Sequence, residues 1–224
     1  MVKKIIVVFA ILLSILGSIL LLIDRTDILI NHFDPVEKAT FYQAQTIQPV
    51  SSPPDSLKFM DWNIKFGAGR IDFFFDCYGD REVMTQEEVH QNLDRLIQKI
   101  NEENPDVLFM QEVDVVSDRS AKVDMIQYIL NKTNLNYGVF ASHWDVKYVP
   151  KHQIGRINSG NVILSKWKFR EAIRLELPIM EKQDLLTRMF YLRRNILIAQ
   201  PEIPGWDSLV VMNIHSDAYS KDGT

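Results

Sequence analysis

Cysteine is almost absent from this sequence, and this scarcity excludes several classes of protein. The single cysteine, Cys77, excludes an intramolecular disulfide and leaves the redox compartment open. No set of cysteines and histidines has the spacing of a zinc site. The sequence also contains no internal repeat and no low-complexity tract, so nothing in it indicates a repeat array.

An excess of basic residues is missing as well. The chain has 25 lysines and arginines against 29 aspartates and glutamates, a net charge of -4. A domain that clamps a nucleic-acid backbone without the help of a metal would more often be basic. The balance argues against a processive nuclease, although it is compatible with a local basic patch. The length of 224 residues and the 46% hydrophobic content suit one large domain or two small ones with an ordinary core.

One long apolar run is present, at the N-terminus. Residues 5–23 are uncharged and almost wholly apolar, and Lys3 and Lys4 precede them. Such a run is long enough to cross a bilayer as a helix, and no Ala-x-Ala-like cleavage site follows it. We predict a single-pass anchor over residues 1–23, with the lysines in the cytoplasm and the domain on the outer side. The alternative is a cleaved signal segment, which would make the protein secreted.

The following segment has little periodicity. Residues 24–56 end in a stretch with several prolines, which predicts a stalk between the bilayer and the domain. The domain is predicted over residues 57–224.

Three predicted strands end in a polar residue where an apolar run stops. The run that begins at Asp106 ends in Gln111 and Glu112, the strand over 57–64 carries Asn63 near its end, and the run over 209–214 leads to His215. A carboxylate at the end of a buried strand must be paired or bound to a metal, because burying it alone is costly. A carboxylate, an amide and an imidazole at converging strand ends indicate a site for a hard cation and a phosphate.

The intervening sequence predicts an α/β arrangement. Thr85 and Glu88 form the capping box of a helix whose apolar stripe includes Val89 and Leu93 and extends to residue 100. A shorter helix is predicted over 122–132. Further strands are predicted at 137–141, 160–165, 172–177, 195–199 and 209–214, with a polar loop over 142–158 that carries His143 and Arg156.

Four short motifs resemble, in order, those of the endonuclease/exonuclease/phosphatase superfamily. They are Trp62-Asn63-Ile64, Gln111-Glu112-Val113, Gly160-Asn161-Val162-Ile163-Leu164-Ser165 and Asn213-Ile214-His215. The resemblance implies an α+β fold of the DNase I-like type, a four-layer αββα sandwich. It also implies Mg²⁺-dependent (or Mn²⁺-dependent) hydrolysis of a phosphoester substrate, either nucleic acid or a phospholipid head group.

The resemblance further implies residue roles. Glu112 would be a metal ligand, Asn63 would lie near the metal and the phosphate, and His215 would hydrogen-bond to the scissile phosphate. Asn161 and Arg119 are plausible neighbours of that site. The family usually has threonine where Ile214 stands, and we expect Ile214 to face away from the site.

Two later motifs of the superfamily, Gly-Asp-x-Asn and Ser-Asp-His, are not found in the sequence. They supply the groups that orient and deprotonate the attacking water. The sequence therefore predicts the N-terminal part of such a domain, with a sandwich that is truncated at its C-terminal side. Residues 1–224 alone are expected to be inactive. The alternative to an enzyme is a catalytically incomplete remnant or a membrane-tethered binding module.

Overall fold

The computed structural model describes residues 2–25, 33–50, 55–149, 154–178 and 192–216. Parts of the predicted stalk and of the predicted loop after Ser142 therefore lie outside the described residues. In chain order the elements are α1 (Val2–Arg25), β1 (Val36–Lys38), β2 (Thr40–Gln43), β3 (Phe59–Asn63), α2 (Gln86–Glu103), β4 (Val107–Asp114), α3 (Met125–Leu130), β5 (Tyr137–Val149), β6 (Gly155–Ser165), β7 (Phe169–Glu176), β8 (Asn195–Pro201) and β9 (Val211–Ile214).

The strands form two sheets. The larger sheet has the order β2-β5-β6-β4-β3, and the smaller sheet has the order β1-β7-β8-β9. Among these strands only β3 and β4 pair in parallel, and α2 provides the crossover between them. The carboxyl ends of β3 and β4 therefore lie side by side, which places Asn63 opposite Gln111.

The helix α2 forms where its capping box predicts. The Thr85 side chain accepts a hydrogen bond from the Glu88 N–H, and the Glu88 carboxylate accepts one from the Thr85 N–H. Asn104 ends the helix in the left-handed conformation. The apolar stripe is buried against the larger sheet through Val89, Leu93, Leu96, Ile97 and Ile100. The helix α3 is shorter than the predicted one and packs in the same layer.

The two sheets pack face to face around a second apolar core. Val107, Val139 and Ile163 contribute from the larger sheet, and Leu197 and Val211 contribute from the smaller one. The described residues thus form three layers, a helix layer and two sheets, in an α+β fold consistent with a DNase I-like domain. Among these residues no helix covers the outer face of the smaller sheet, where Met212 is 59% exposed.

The segment over 142–158 is not the polar loop that the sequence predicted. The strands β5 and β6 continue through it as a long antiparallel hairpin, paired as far as Val149 with Gly155. The local reason is a small apolar cluster in which Val146, Ile154 and Ile157 are buried. Val146 and Ile157 each stand between two polar residues in the sequence, so the charged composition of the segment hides a strand period.

Part of the interval predicted as a stalk belongs to the sheets. The strand β1 pairs with β7, and β2 pairs with β5, so the chain passes from the smaller sheet to the larger one across Ala39. Residues 36–43 therefore supply one edge strand to each sheet rather than a linker.

The N-terminal run is a helix, as predicted. The helix α1 is long and apolar enough to cross a membrane, with a mean hydropathy of 3.1 over Lys3–Leu22. None of that window is buried against the rest of the chain. A signal segment can have the same length and composition.

Candidate active site

The three residues predicted at strand ends lie together. The Nδ2 atom of Asn63 donates a hydrogen bond to Oε1 of Glu112 at 2.9 Å. The Nε2 atom of His215 lies 3.7 Å from the same oxygen. The side chains of Glu112 and His215 are 29% and 25% exposed, so the cluster is open to solvent and to a ligand. The neighbouring Ile214 is exposed and faces away from it, as expected.

A β-bulge directs Glu112 into this cluster. The pairing of β4 with β6 shifts between Met110 and Val113, so that Gln111 and Glu112 both stand opposite one residue of β6. Glu112 has a φ of 55°, a left-handed conformation that costs a residue with a Cβ free energy. The surrounding ladder holds the strained residue in place. The bulge therefore turns a carboxylate outward at the end of a strand that is otherwise buried.

A buried amide network lies beneath the cluster. Gln111 donates through Nε2 to Oδ1 of Asp61 and to Oδ1 of Asn213, at 2.7 Å each. Asn213 in turn donates through Nδ2 to the carbonyl oxygens of Met110 and Val162, at 2.8 Å each. Since Gln111 and Asn213 are buried, these bonds join β9 firmly to the larger sheet. The network thereby positions His215, two residues beyond Asn213.

Asn161 lies deeper in the sandwich than the three strand-end residues. Its Nδ2 atom donates to the carbonyl oxygen of Asn195 at 3.2 Å, and Asn195 donates to the carbonyl oxygen of Ser142 at 3.0 Å. The Oδ1 atom of Asn161 is buried and has no hydrogen-bond partner among the described residues. The sequence predicted Asn161 as a neighbour of the site, and the structure places it on the strand opposite the Glu112 bulge.

The structure adds His143 to the site, where sequence analysis saw only a loop residue. The pairing of β5 with β6 shifts between Ser142 and Trp144, so His143 stands at a second bulge. Its ring centroid lies 6.4 Å from that of His215. Burial, and then the positive charge of Arg194, holds the pKa of His143 well below its usual value. Sequence reasoning missed this residue because a bulge leaves no mark in a strand period.

Arg119 is committed to an ion pair. Its guanidinium donates to both oxygens of Asp114, at 2.8 and 2.7 Å, and stacks 4.0 Å from the centre of the Phe66 ring. Asp114 is completely buried, and Ser120 also donates to it. Sequence analysis predicted Arg119 as a site neighbour, but its charge is compensated by Asp114, so it braces the segment after β4.

A divalent cation fits the residues of the cluster. Within the described ranges no group of three acidic, histidine or cysteine side chains forms a closed metal cage. Mg²⁺ needs none, because it is usually held by one or two carboxylates together with water and substrate phosphate. Both contacts to Glu112 involve Oε1, and no described residue hydrogen-bonds to its other oxygen. Asn63 has a free lone pair on Oδ1, which accepts one hydrogen bond from the Lys65 N–H at 2.9 Å.

Comparison with known proteins identifies the family. The model of the Endonuclease/Exonuclease/phosphatase family matches residues 62–214, an interval that contains Asn63 and Glu112 and ends one residue before His215. No curated protein is significantly similar in sequence.

Two of the solved structures that resemble the chain come from the same family. One is the endonuclease/exonuclease/phosphatase from Beutenbergia cavernae DSM 12333, with 20% identity and a TM-score of 0.48, which covers 71% of this chain and 38% of that one. Another is an endonuclease/exonuclease/phosphatase family protein from Leptotrichia buccalis C-1013-b, with 13% identity and a TM-score of 0.42, which covers 72% of this chain and 55% of that one. The chain therefore spans less than two thirds of either structure. Because the family model matches more than half of its residues, the chain belongs to the endonuclease/exonuclease/phosphatase family.

Proposed function

We propose that this protein is a metal-dependent phosphoester hydrolase whose active site is built around Glu112. Membership of a family that is generally hydrolytic supports the reaction class. The observation that carries the assignment of the site is the convergence of an amide and an imidazole on a single carboxylate oxygen, at 2.9 and 3.7 Å.

In this proposal Glu112 and Asn63 hold Mg²⁺ or Mn²⁺. The bound cation would neutralise charge that develops on the phosphoryl oxygens. The imidazole of His215 donates a hydrogen bond to a phosphoryl oxygen, and its position is fixed before the substrate arrives by the buried amides of Gln111 and Asn213. Preorganisation of this kind matters because the donors need no rearrangement as the reaction proceeds.

The proposal also includes a membrane anchor. The helix α1 would span the bilayer with Lys3 and Lys4 on the cytoplasmic side, and the hydrolase domain would face outward. A tether of this kind would restrict the enzyme to phosphoesters that reach the outer surface.

Thermal unfolding with and without Mg²⁺ tests the metal site. Mg²⁺ should raise the melting temperature of the wild-type chain, because a ligand that binds the folded state stabilises it. Glu112→Gln should abolish that rise. Glu87→Gln provides the matched control, since Glu87 is exposed on α2 and contacts Gln91 rather than the cluster. An equal response in Glu112→Gln and wild type would remove Glu112 from any metal site.

Hydrolysis of a chromogenic phosphodiester tests the activity with the same variants in a completed domain, one that also carries the two later motifs of the superfamily, because residues 1–224 alone are expected to show no turnover. Turnover by the completed wild-type domain that is lost in Glu112→Gln and retained in Glu87→Gln would support the hydrolase. In that completed domain, His215→Ala should lower kcat by roughly 10²-fold with little change in KM, the scale for losing one preorganised donor. A metal response without turnover would instead support a membrane-tethered binding module.

A further inference from the structure

A cavity lies beside the candidate active site, on the helix side of β3. It has a volume of about 340 Å³ and opens between the end of β3, the turn that follows it and α2. Asn63 is part of both its lining and the active-site cluster.

The lining of this cavity is cationic, although the chain as a whole is acidic. Three basic side chains line it and no aspartate or glutamate does. Lys65 is neutralised by Asp76 at 2.6 Å. Arg70 and Arg95 are exposed, and neither forms an ion pair or hydrogen bond with any residue that the structure describes. Two uncompensated guanidinium groups therefore line the cavity.

The sequence of α2 explains why Arg95 has no acidic partner. The other basic residue of this helix, Lys99, is paired within one turn with Glu103, at 2.7 Å. The residues one turn before and after Arg95 are Gln91, Asn92, Gln98 and Lys99, none of which is acidic. The acidic neighbour Asp94 is bound to Lys132 instead, at 2.7 Å. The charge of Arg95 is thus available to a ligand.

The cavity wall is largely preformed. Asn92 donates from α2 to the carbonyl oxygens of Gly67 and Ala68, at 2.9 and 3.0 Å, and so ties the turn after β3 to the helix. The turn requires left-handed backbone at Gly67 and Gly69, with φ of 73° and 59°. The half-buried indole of Trp62 supplies a flat apolar wall beside the arginines.

We propose that this cavity binds a nucleotide unit, with its phosphate at Arg70 and Arg95 and its base against Trp62. Guanidinium groups match phosphate geometry and pair with it through charge-assisted hydrogen bonds. Stacking on an aromatic side chain tolerates any base, because every base has a π-face. The volume and the mixed apolar and polar lining are those of a small-molecule site.

The position of Asn63 makes this unit a neighbour of the scissile phosphate. A substrate whose reacting phosphate lies at the Glu112 cluster would extend past Asn63 into the cavity. Only this link between the cavity and the substrate rests on the proposed hydrolase function. Binding in the cavity requires neither the metal nor turnover, so the two proposals fail in different experiments.

Calorimetric titration of the full chain in detergent micelles tests the inference, with adenosine 5′-monophosphate as the probe and EDTA present. The double variant Arg70→Gln/Arg95→Gln should weaken binding by at least about tenfold, since charge-assisted hydrogen bonds are lost. Lys99→Gln removes a charge from the same helix outside the cavity and should leave affinity unchanged. Glu112→Gln should also leave it unchanged. Raising the salt concentration should weaken binding to the wild type and have much less effect on the double variant.

Two further probes separate the base from the phosphate. Trp62→Leu should weaken adenosine monophosphate binding and leave inorganic phosphate binding unaltered. Glycerol phosphate, which has the phosphate of a lipid head group without a base, should bind less tightly than the nucleotide. Equal affinity for the two would overturn the nucleotide assignment. Failure of the wild type to bind the nucleotide, or equal affinity in the double variant, would overturn the site, whatever the outcome of the Mg²⁺ experiment.

Discussion

At the residue scale, the site depends on a few side chains held in unusual settings. Glu112 has left-handed backbone at a bulge, and His143 is buried at another. The strands that carry them flank β6 on its two sides. Bulges are frequent next to active sites because they redirect a side chain without ending the sheet. The pair of bulges is the local device that brings polar groups to one end of an apolar sandwich.

We predict that His143 makes the stability of the domain depend on pH. Its pKa is well below the usual value in the folded chain, chiefly through burial, with Arg194, His215, Arg119 and Arg174 as the charged groups that act on it. The unfolded chain therefore takes up a proton near pH 6.5 that the folded chain does not. Stability from this group is present above that pH and falls as the pH decreases, by up to about 1.4 kcal/mol per pH unit.

Denaturant unfolding between pH 7 and pH 5 measures this dependence. His143→Gln and His143→Asn, which carry no titrating group, should both show a shallower loss of stability than the wild type. The quantity compared is the slope of the free energy of unfolding against pH. A destabilisation that is the same at every pH does not change that slope. Identical slopes in wild type and both variants would show that His143 takes up its proton in the folded chain.

At the element scale, α2 joins the helix layer to the site. It provides the crossover that makes β3 and β4 parallel, and its first turn is held by the Thr85–Glu88 box. Arg81 also donates to Glu88, at 2.7 Å. This bond, followed by the Thr85 backbone bond, lowers the pKa of Glu88 to about 2. The start of α2 is therefore stabilised by a carboxylate that must stay ionised.

Loss of the capping box should destabilise the domain in a pH-dependent way. Thr85→Ala should cost about 1 kcal/mol at neutral pH, the usual value for an N-cap. Glu88 has a folded pKa below its unfolded one, so its contribution is present above about pH 4.5 and is lost as the pH falls towards 2. Solvent screening keeps that contribution small, because a third of the side chain is exposed.

Chemical denaturation of Thr85→Ala, Glu88→Gln and wild type at pH 7 and pH 3 checks both statements. Glu88→Gln should be less stable than the wild type at pH 7, and the difference should narrow at pH 3. Glu102→Gln, near the other end of α2, is the control and should change little at either pH. A Glu88→Gln deficit that is the same at both pH values would mean that the charge of Glu88 contributes nothing.

At the scale of the whole molecule, an apolar helix precedes a domain whose first strands begin soon after it. The strand β1 starts at Val36, and only Ala39 separates it from β2, which belongs to the other sheet. If α1 spans a bilayer, residues 26–35 are the whole connection between membrane and domain. That spacing would keep the domain close to the surface, in contrast to the long stalk that the sequence predicted.

We predict that the protein sediments with membranes and that protease added outside reaches the domain. Carbonate extraction should leave it in the membrane pellet, because an apolar helix of this length is held by the hydrocarbon core. Leu13→Arg should reduce this retention, since a charge near the centre of the span is costly. Phe41→Arg, at an exposed position of β2, is the matched control and should not. Recovery of a soluble protein that begins after Ile23 would identify the helix as a cleaved signal.

The sequence alone determined the elements whose cause is local. The apolar run of β4 and the capping box and stripe of α2 are patterns of near neighbours, and the structure places both where they were predicted. The family motifs likewise identified Asn63, Glu112 and His215 as candidate site residues. A polar residue at the end of a predicted strand can be recognised without knowing which other segments lie near it.

The tertiary structure decided which distant segments meet. The sequence could not show that residues 36–43 add an edge strand to each sheet, because a short strand becomes stable only when a partner far along the chain completes its hydrogen bonds. It could not show that His143 reaches the site, since bulges set its direction. Nor could it show that Arg70 and Arg95 face one cavity, because their approach depends on how α2 packs across the end of β3. The pattern of helices and strands follows from local chain geometry. The meeting of side chains at one site depends instead on packing between residues that are far apart in the sequence.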